Sequence, residues 1–172
     1  MIQPNIETQR LLLRPFCQND AARVTELAGE KIIADMTASV PHPYESYMAT
    51  DWISTHKSQY EQQTAVVYAV TLKGDDRIIG AVSFPQLENG EGTIGYWLGV
   101  PFWGKGIAYE AAKGLIAHCK LHLGLKTVCA VHLTENVRSQ SVIEKLGIPF
   151  VENEIHMVRG VGCPVRVYKG SV

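Results

Sequence analysis

The spacing of apolar positions changes several times along the chain, and each change marks an element. Leu11-Leu12-Leu13 is a short apolar run stopped by Arg14-Pro15, which predicts a first strand. Asn19-Asp20 offers N-cap residues for a helix carrying Ala22, Val24, Leu27 and Ala28. Beyond Pro41 and Pro43, Ser46 to Gln62 sets Trp52, Ile53, His56 and Tyr60 near one face of a second helix.

The period then shortens. Ala65 to Leu72, Arg77 to Phe84 and Thr93 to Leu98 are rich in β-branched and aromatic residues, and Gly74-Asp75-Asp76 and Glu88-Asn89-Gly90 between them are turn sequences. They predict an antiparallel meander. From Ala108 the stripe Ala108, Ala111, Ala112, Leu115, Ile116 and Cys119 follows helical spacing up to Gly124. Thr127 to Leu133 reads as a strand, Asn136 to Leu146 as a helix closed by Gly147, and Ile155 to Tyr168 as two strands around Gly160-Val161-Gly162. The order β-α-α-β-β-β-α-β-α-β-β predicts an α/β protein of the α+β kind. Its mixed central sheet has about seven strands and about four flanking helices.

Residues 1–172 contain no repeat, low-complexity stretch or linker, which predicts one domain. The chain is 46% hydrophobic and 19% charged with net charge −1, and its cations are scattered. A nucleic-acid partner, which needs clustered cations, is not expected. Cys17, Cys119, Cys129 and Cys163 form no C-x-x-C pair and suit a reducing compartment, with the first three in apolar patterns expected to pack as core. The N-terminal residues lack an export signal, and no apolar run approaches the roughly 18 residues of a membrane span. A cytoplasmic location is expected.

Chemistry concentrates in Gly95-Tyr96-Trp97-Leu98-Gly99-Val100-Pro101-Phe102-Trp103-Gly104-Lys105-Gly106-Ile107-Ala108. A strand, a glycine-rich turn and a helix start in that order aim free backbone N–H groups and a positive helix end at one point, which suits an anion. Gly99 to Gly106 nearly spells a phosphate-binding G-x-x-x-x-G-K loop, but Gly106 stands where a Ser or Thr would ligate Mg²⁺. A dinucleotide fingerprint fails at Tyr109, where a small residue is needed. A tight turn built for geometry alone is the remaining structural reading.

The segment Trp103-Gly104-Lys105-Gly106-Ile107-Ala108 resembles the acetyl-CoA signature of the GNAT superfamily of acetyltransferases. With Gly95-Tyr96-Trp97-Leu98 before it and Glu110-Ala111 after it, it is similar to the ribosomal-protein N-terminal acetyltransferase (RimJ/RimL) branch. Thr8 to Pro15 with Asn19-Asp20-Ala21, and Asn136-Val137-Arg138-Ser139 with Glu144-Lys145-Leu146-Gly147, are similar to two further blocks of that branch. The second has Ile148 where the branch has Phe.

The resemblance implies acetyl-CoA as cosubstrate, no metal, and an amine acceptor, either a protein N-terminus or a small molecule. It implies that the backbone of Trp103, Gly104, Lys105, Gly106, Ile107 and Ala108 holds the pyrophosphate. Trp97 and Leu98 then lie on the strand that pairs with the pantetheine arm, and a backbone N–H there would polarise the thioester carbonyl. Lys105 either faces the phosphates or is solvated. Asn136 either binds the cofactor arm or caps the last helix. Ile143 occupies the position of the superfamily's tyrosine acid, and Ser139 is the branch's substitute at the leaving thiolate. No base is assigned: Thr93 stands where the branch often has Glu, and Glu91 reads as a turn residue. The alternatives to protein N-terminal acetylation are transfer to a small amine, such as a polyamine, amino acid or antibiotic, and cofactor binding without turnover.

Two further signals carry less. His118 and His122 have two-histidine metal spacing, but lack an intervening Glu and a third ligand. Trp52 and Tyr60 read as helix core, with Trp52 and Tyr60 also able to line an acceptor groove. The oligomeric state is open.

Overall fold

A computed structural model describes all residues, 1–172, as ten strands and five α-helices. In chain order they are β1 (Ile6–Glu7), β2 (Leu11–Arg14), α1 (Ala21–Ala28), α2 (Lys31–Met36), α3 (Ser46–Glu61), β3 (Val66–Leu72), β4 (Ile78–Phe84), β5 (Leu87–Glu88), β6 (Glu91–Thr93), β7 (Gly95–Leu98), α4 (Ile107–His122), β8 (Thr127–Leu133), α5 (Val137–Lys145), β9 (Phe150–Val158) and β10 (Val161–Ser171). The expected element order is present, with α2, β1, β5 and β6 added to it. All four additions are short. Instead of one sheet of about seven strands there are two five-stranded sheets, β1-β2-β3-β4-β7 and β5-β6-β8-β10-β9.

The cause is a change of partner within one extended run. β6 pairs parallel with β8 through Thr93 and Cys129, and the Ile94 N–H still donates to the Cys129 carbonyl. From Gly95 on, β7 pairs antiparallel with β4 instead, Gly95 opposite Ser83 and Leu98 opposite Gly80. The expected meander of β3, β4 and β7 is therefore real, and its last strand also joins the sheets.

Side-chain alternation divides the core between two faces of the first sheet. Val66, Tyr68 and Val70 of β3 face α4 with Leu11 and Leu13, whereas Val67 and Ala69 face α1, α2 and α3. This explains why β3 is apolar on nearly every residue: both its faces are covered. On α4, Ala111, Ala112, Leu115 and Cys119 are fully buried, in the stripe expected from the sequence. A leucine buried like Leu115 contributes about 2 kcal/mol of apolar transfer energy.

Two local expectations need correction. Asp20 does not cap α1 with its side chain; a short 3₁₀ turn over Gln18–Asp20 intervenes. The Asp20 carboxylate accepts two hydrogen bonds from Arg14, each 2.8 Å, and one from the Cys17 N–H at 2.9 Å. Of the cysteines expected in the core, only Cys119 is buried; Cys17 is exposed and Cys129 half-buried. No helix is long and apolar enough to cross a membrane.

Candidate active site

Where β7 leaves β8, two strand edges face each other across a cleft. Backbone groups on a strand alternate between its two neighbours. Ile94 N–H points to β8, and Gly99 N–H donates to Ile79 of β4 at 2.8 Å. By that alternation Tyr96 and Leu98 turn their backbone groups into the cleft, and Trp97 turns its own toward β4. What Trp97 offers the cleft is its ring, which lines the cavity there. The Leu98 carbonyl is already occupied, accepting from the Trp103 indole N–H at 2.9 Å. Arg138 at the start of α5 stacks on the same indole, its Cζ 4.3 Å from the ring centroid. Trp103 is thus fixed from both sides, a cation–π contact adding to the hydrogen bond.

The glycine turn lies at one end of this cleft. Gly104 and Gly106 both have φ +74°, a left-handed conformation that L side chains resist, and Gly106 is the N-cap of α4. The first hydrogen bond closing the helix is from Glu110 N–H to the Gly106 carbonyl, so the N–H groups of the turn before it are not used by the helix. Arg10 braces this turn, a role sequence reading missed. Its Nη1 donates to the Lys105 carbonyl at 2.8 Å, and its Nε donates to Glu110 at 2.7 Å. Burial pushes the Glu110 pKa up, but hydrogen bonds from Thr8 and Arg10 outweigh it and hold the group below the usual range. Lys105 is exposed, its ammonium 6.0 Å from the Phe102 ring.

Ser139 and Asn136 sit opposite β7 on α5. The Asn136 carbonyl oxygen accepts from Ser139 N–H at 3.1 Å, the helix cap expected of it, and its amide donates to Met36 at 3.0 Å. The Ser139 Oγ is 2.8 Å from the Tyr96 hydroxyl. Both residues line the cavity. Sequence reading passed over Tyr96; the only signal for it is that it shares the cleft-facing parity of Leu98. Ile143 is buried and apolar, as its place in the α5 core stripe requires.

The cleft continues into a cavity of about 1170 Å³ whose lining extends from the glycine turn to α2 and α3. The lining there includes Met36, Tyr44, Met48, Trp52 and Trp97, so Trp52 is both helix core and cavity wall. Tyr60 lies in the α4-side core instead. Arg159 in the β9–β10 turn ties that turn to this region, donating to the carbonyls of Val40 at 3.0 Å and Ala34 at 2.7 Å. No aspartate or glutamate lines the cavity. Glu91 lies outside it, paired with Lys169 at 2.8 Å and accepting from the Cys129 thiol at 3.4 Å. His118 and His122 have ring centroids 4.7 Å apart, and no third metal-ligating side chain joins them.

Comparison with known proteins agrees with this architecture. The family model described as an acetyltransferase (GNAT) domain matches residues 10–149. The p20 protein of Bacillus licheniformis, an uncharacterised N-acetyltransferase, is 30% identical over 141 residues, which cover 81% of this chain and 79% of p20. RimL, the ribosomal L7/L12 α-N-protein acetyltransferase in complex with coenzyme A, superposes with a TM-score of 0.89 at 16% identity, covering 98% of each chain. The microcin C7 self-immunity acetyltransferase MccE, in complex with acetyl-CoA and AMP, gives a TM-score of 0.86 at 20% identity over 96% of this chain and 94% of its own. The parted strands, the glycine turn at the head of α4 and the matched family model together place this chain in the GNAT family of N-acetyltransferases.

Proposed function

We propose that the acceptor of this N-acetyltransferase is the α-amino group of a peptide or protein. The observation that carries this reading is the cavity lining beside α2 and α3: aromatic and thioether side chains, with no carboxylate in the cavity. A polyamine or aminoglycoside would bring several ammonium groups into a space where none finds a counter-charge, and unpaired buried charge is costly. An α-amine near pKa 8 is roughly a tenth neutral at pH 7, whereas a lysine or aliphatic polyamine amine is neutral in well under a thousandth of molecules. A cavity without anions suits the group that enters neutral.

In this reading the turn from Trp103 to Ala108 holds the pyrophosphate of acetyl-CoA through backbone N–H groups and the positive end of α4. The cleft-facing N–H groups of Tyr96 and Leu98 pair with the pantetheine arm and polarise the thioester carbonyl. The amine nitrogen attacks the carbonyl carbon, the C–S bond breaks, and the thiolate leaves toward Ser139 and Tyr96. Asn136 supports Ser139 through the cap. Fold likeness to RimL, an α-N-protein acetyltransferase, is consistent with this acceptor, although a fold alone does not select one.

The test is a panel of short peptides with free or blocked N-termini, alongside spermidine and an aminoglycoside, incubated with labelled acetyl-CoA. Free peptide N-termini are expected to react fastest, with kcat/KM rising from pH 6 to about 8 as the amine loses its proton. Turnover of the polyamine or aminoglycoside with none on any peptide would overturn the reading.

A further inference from the structure

Amide formation releases a proton from the attacking nitrogen, and a carboxylate acting as base would have to lie in or beside the cavity. None lines it, and the carboxylate beside it, Glu154, is engaged by His156, which leaves the two imidazoles of the lining, His132 and His156. His132 is buried and fully engaged. Its Nδ1 lies 2.7 Å from the Leu133 carbonyl, to which it can only donate, and its Nε2 is 3.0 Å from the Tyr168 hydroxyl. With neither nitrogen free, His132 serves as a structural link between β8 and β10.

His156 differs. It lies on β9 opposite Cys163 of β10, and strand register puts it on the same sheet face as Val131, Leu133 and Val165, which also line the cavity. Its Nε2 is 2.5 Å from an oxygen of Glu154, two residues along the same face. Donation to Glu154 requires the hydrogen on Nε2, which in the neutral ring leaves the Nδ1 lone pair unengaged. The His156 hydrogen bond holds the Glu154 pKa below the usual carboxylate range, so it stays an acceptor. The other ionisable groups around His156 are Glu152 two residues beyond Glu154 on the same face, Cys163 across the ladder, Arg159 in the following turn and Tyr44 in the cavity lining. None of these hydrogen-bonds Nδ1.

We propose that His156 is the general base of the acetyl transfer, held in orientation by Glu154. The proposal rests on the amine-acetylating reading above. As the N–C bond forms and the C–S bond breaks, His156 Nδ1 takes the proton that the nitrogen must lose. Glu154 stabilises the resulting imidazolium, the orienting role a carboxylate plays toward a catalytic histidine. The imidazolium returns its proton to solvent, and the coenzyme thiolate takes up one as product leaves. Glu154 is the positioning residue and His156 the catalytic one.

The experiment compares wild type, His156→Gln, His156→Ala and Glu154→Gln, measuring CoA affinity, kcat and its pH profile on the best peptide acceptor. His156→Gln is expected to lower kcat about 100-fold, within the usual span of general-base effects, with CoA affinity unchanged. The acid limb of kcat expected in wild type should be missing from this variant. Added imidazole should restore at least tenfold of the activity lost in His156→Ala, which a merely structural histidine would not allow. Glu154→Gln should lose less than His156→Gln. A kcat within threefold of wild type in His156→Gln with the same pH profile would overturn the assignment. So would a loss with the acid limb intact and no imidazole rescue. Failure of wild type itself on every amine would instead overturn the function from which the assignment starts.

Discussion

The Tyr96 hydroxyl and the Ser139 Oγ stand 2.8 Å apart across the cleft, although 43 positions separate the residues in the chain. Burial pushes the Tyr96 phenol up to about 12, so it stays protonated at neutral pH. A group that holds its proton so tightly does not surrender it to a thiolate whose thiol has a pKa near 8.5. It can donate a hydrogen bond to Ser139 and thereby point the serine proton at the departing sulfur. Ser139→Ala is expected to lower kcat roughly 10- to 100-fold, with CoA affinity little changed. Tyr96→Phe should lower it less. The double variant should resemble Ser139→Ala alone, because the two hydroxyls act as one unit. Steady-state kinetics of the three variants checks this; additive losses would show independent roles.

Gly106 offers a sharper test of the cofactor end. With φ +74° and Arg10 Nη2 only 3.5 Å from the position of an added Cβ, any side chain here meets backbone strain and a cationic neighbour. Gly106→Ala should cost about 1 kcal/mol of stability, the penalty of a left-handed residue. Gly106→Asp adds a negative charge where a pyrophosphate is expected and should abolish CoA binding in a folded protein. Calorimetric titration with CoA, with circular dichroism as the folding control, separates the two. Wild-type affinity in Gly106→Asp would place the anion site elsewhere.

These two ends of the site were unequally legible in the sequence. The glycine turn and α4 are local: Gly104, Gly106 and the stripe through Cys119 lie within a few turns of one another. Spacing alone exposes them. Tyr96 acquires its partner only when β7 and α5 meet, and Arg10 reaches Lys105 and Glu110 across 95 and 100 positions of the chain. No local pattern encodes such pairs. The partner switch at Ile94 was equally hidden, because Thr93 to Leu98 reads as one β-like run whichever strand it joins. α2 escaped notice for a different reason. Six residues are too few to show a helical period, and its stability comes from packing Ile33 and Ala34 against the first sheet.

His56 gives a stability prediction with a definite sign. Its ring is buried between Phe16 and Trp52, at centroid distances of 5.5 Å and 4.6 Å, and neither ring nitrogen has a hydrogen-bond partner. Burial lowers its pKa to about 4. Below the ordinary histidine value of about 6.5 the unfolded chain takes up a proton that the folded chain refuses. Stability from this site is therefore complete above pH 6.5 and is lost as pH falls toward 4, by about 3 kcal/mol in all. His56→Leu should remove that slope. Urea unfolding of both proteins at pH 7 and pH 4.5 checks it: the variant should gain relative to wild type in acid, and equal differences at the two pH values would contradict the account.

The measurement that bears most directly on the whole account uses one peptide with a free N-terminal serine and an internal lysine. It is incubated with enzyme and labelled acetyl-CoA at pH 7.5 and sequenced by tandem mass spectrometry. The account expects one acetyl group, on the α-amine, with CoA released in equal amount and the lysine untouched. Label on the lysine alone, or acetyl-CoA bound tightly but never consumed with any amine, would contradict it.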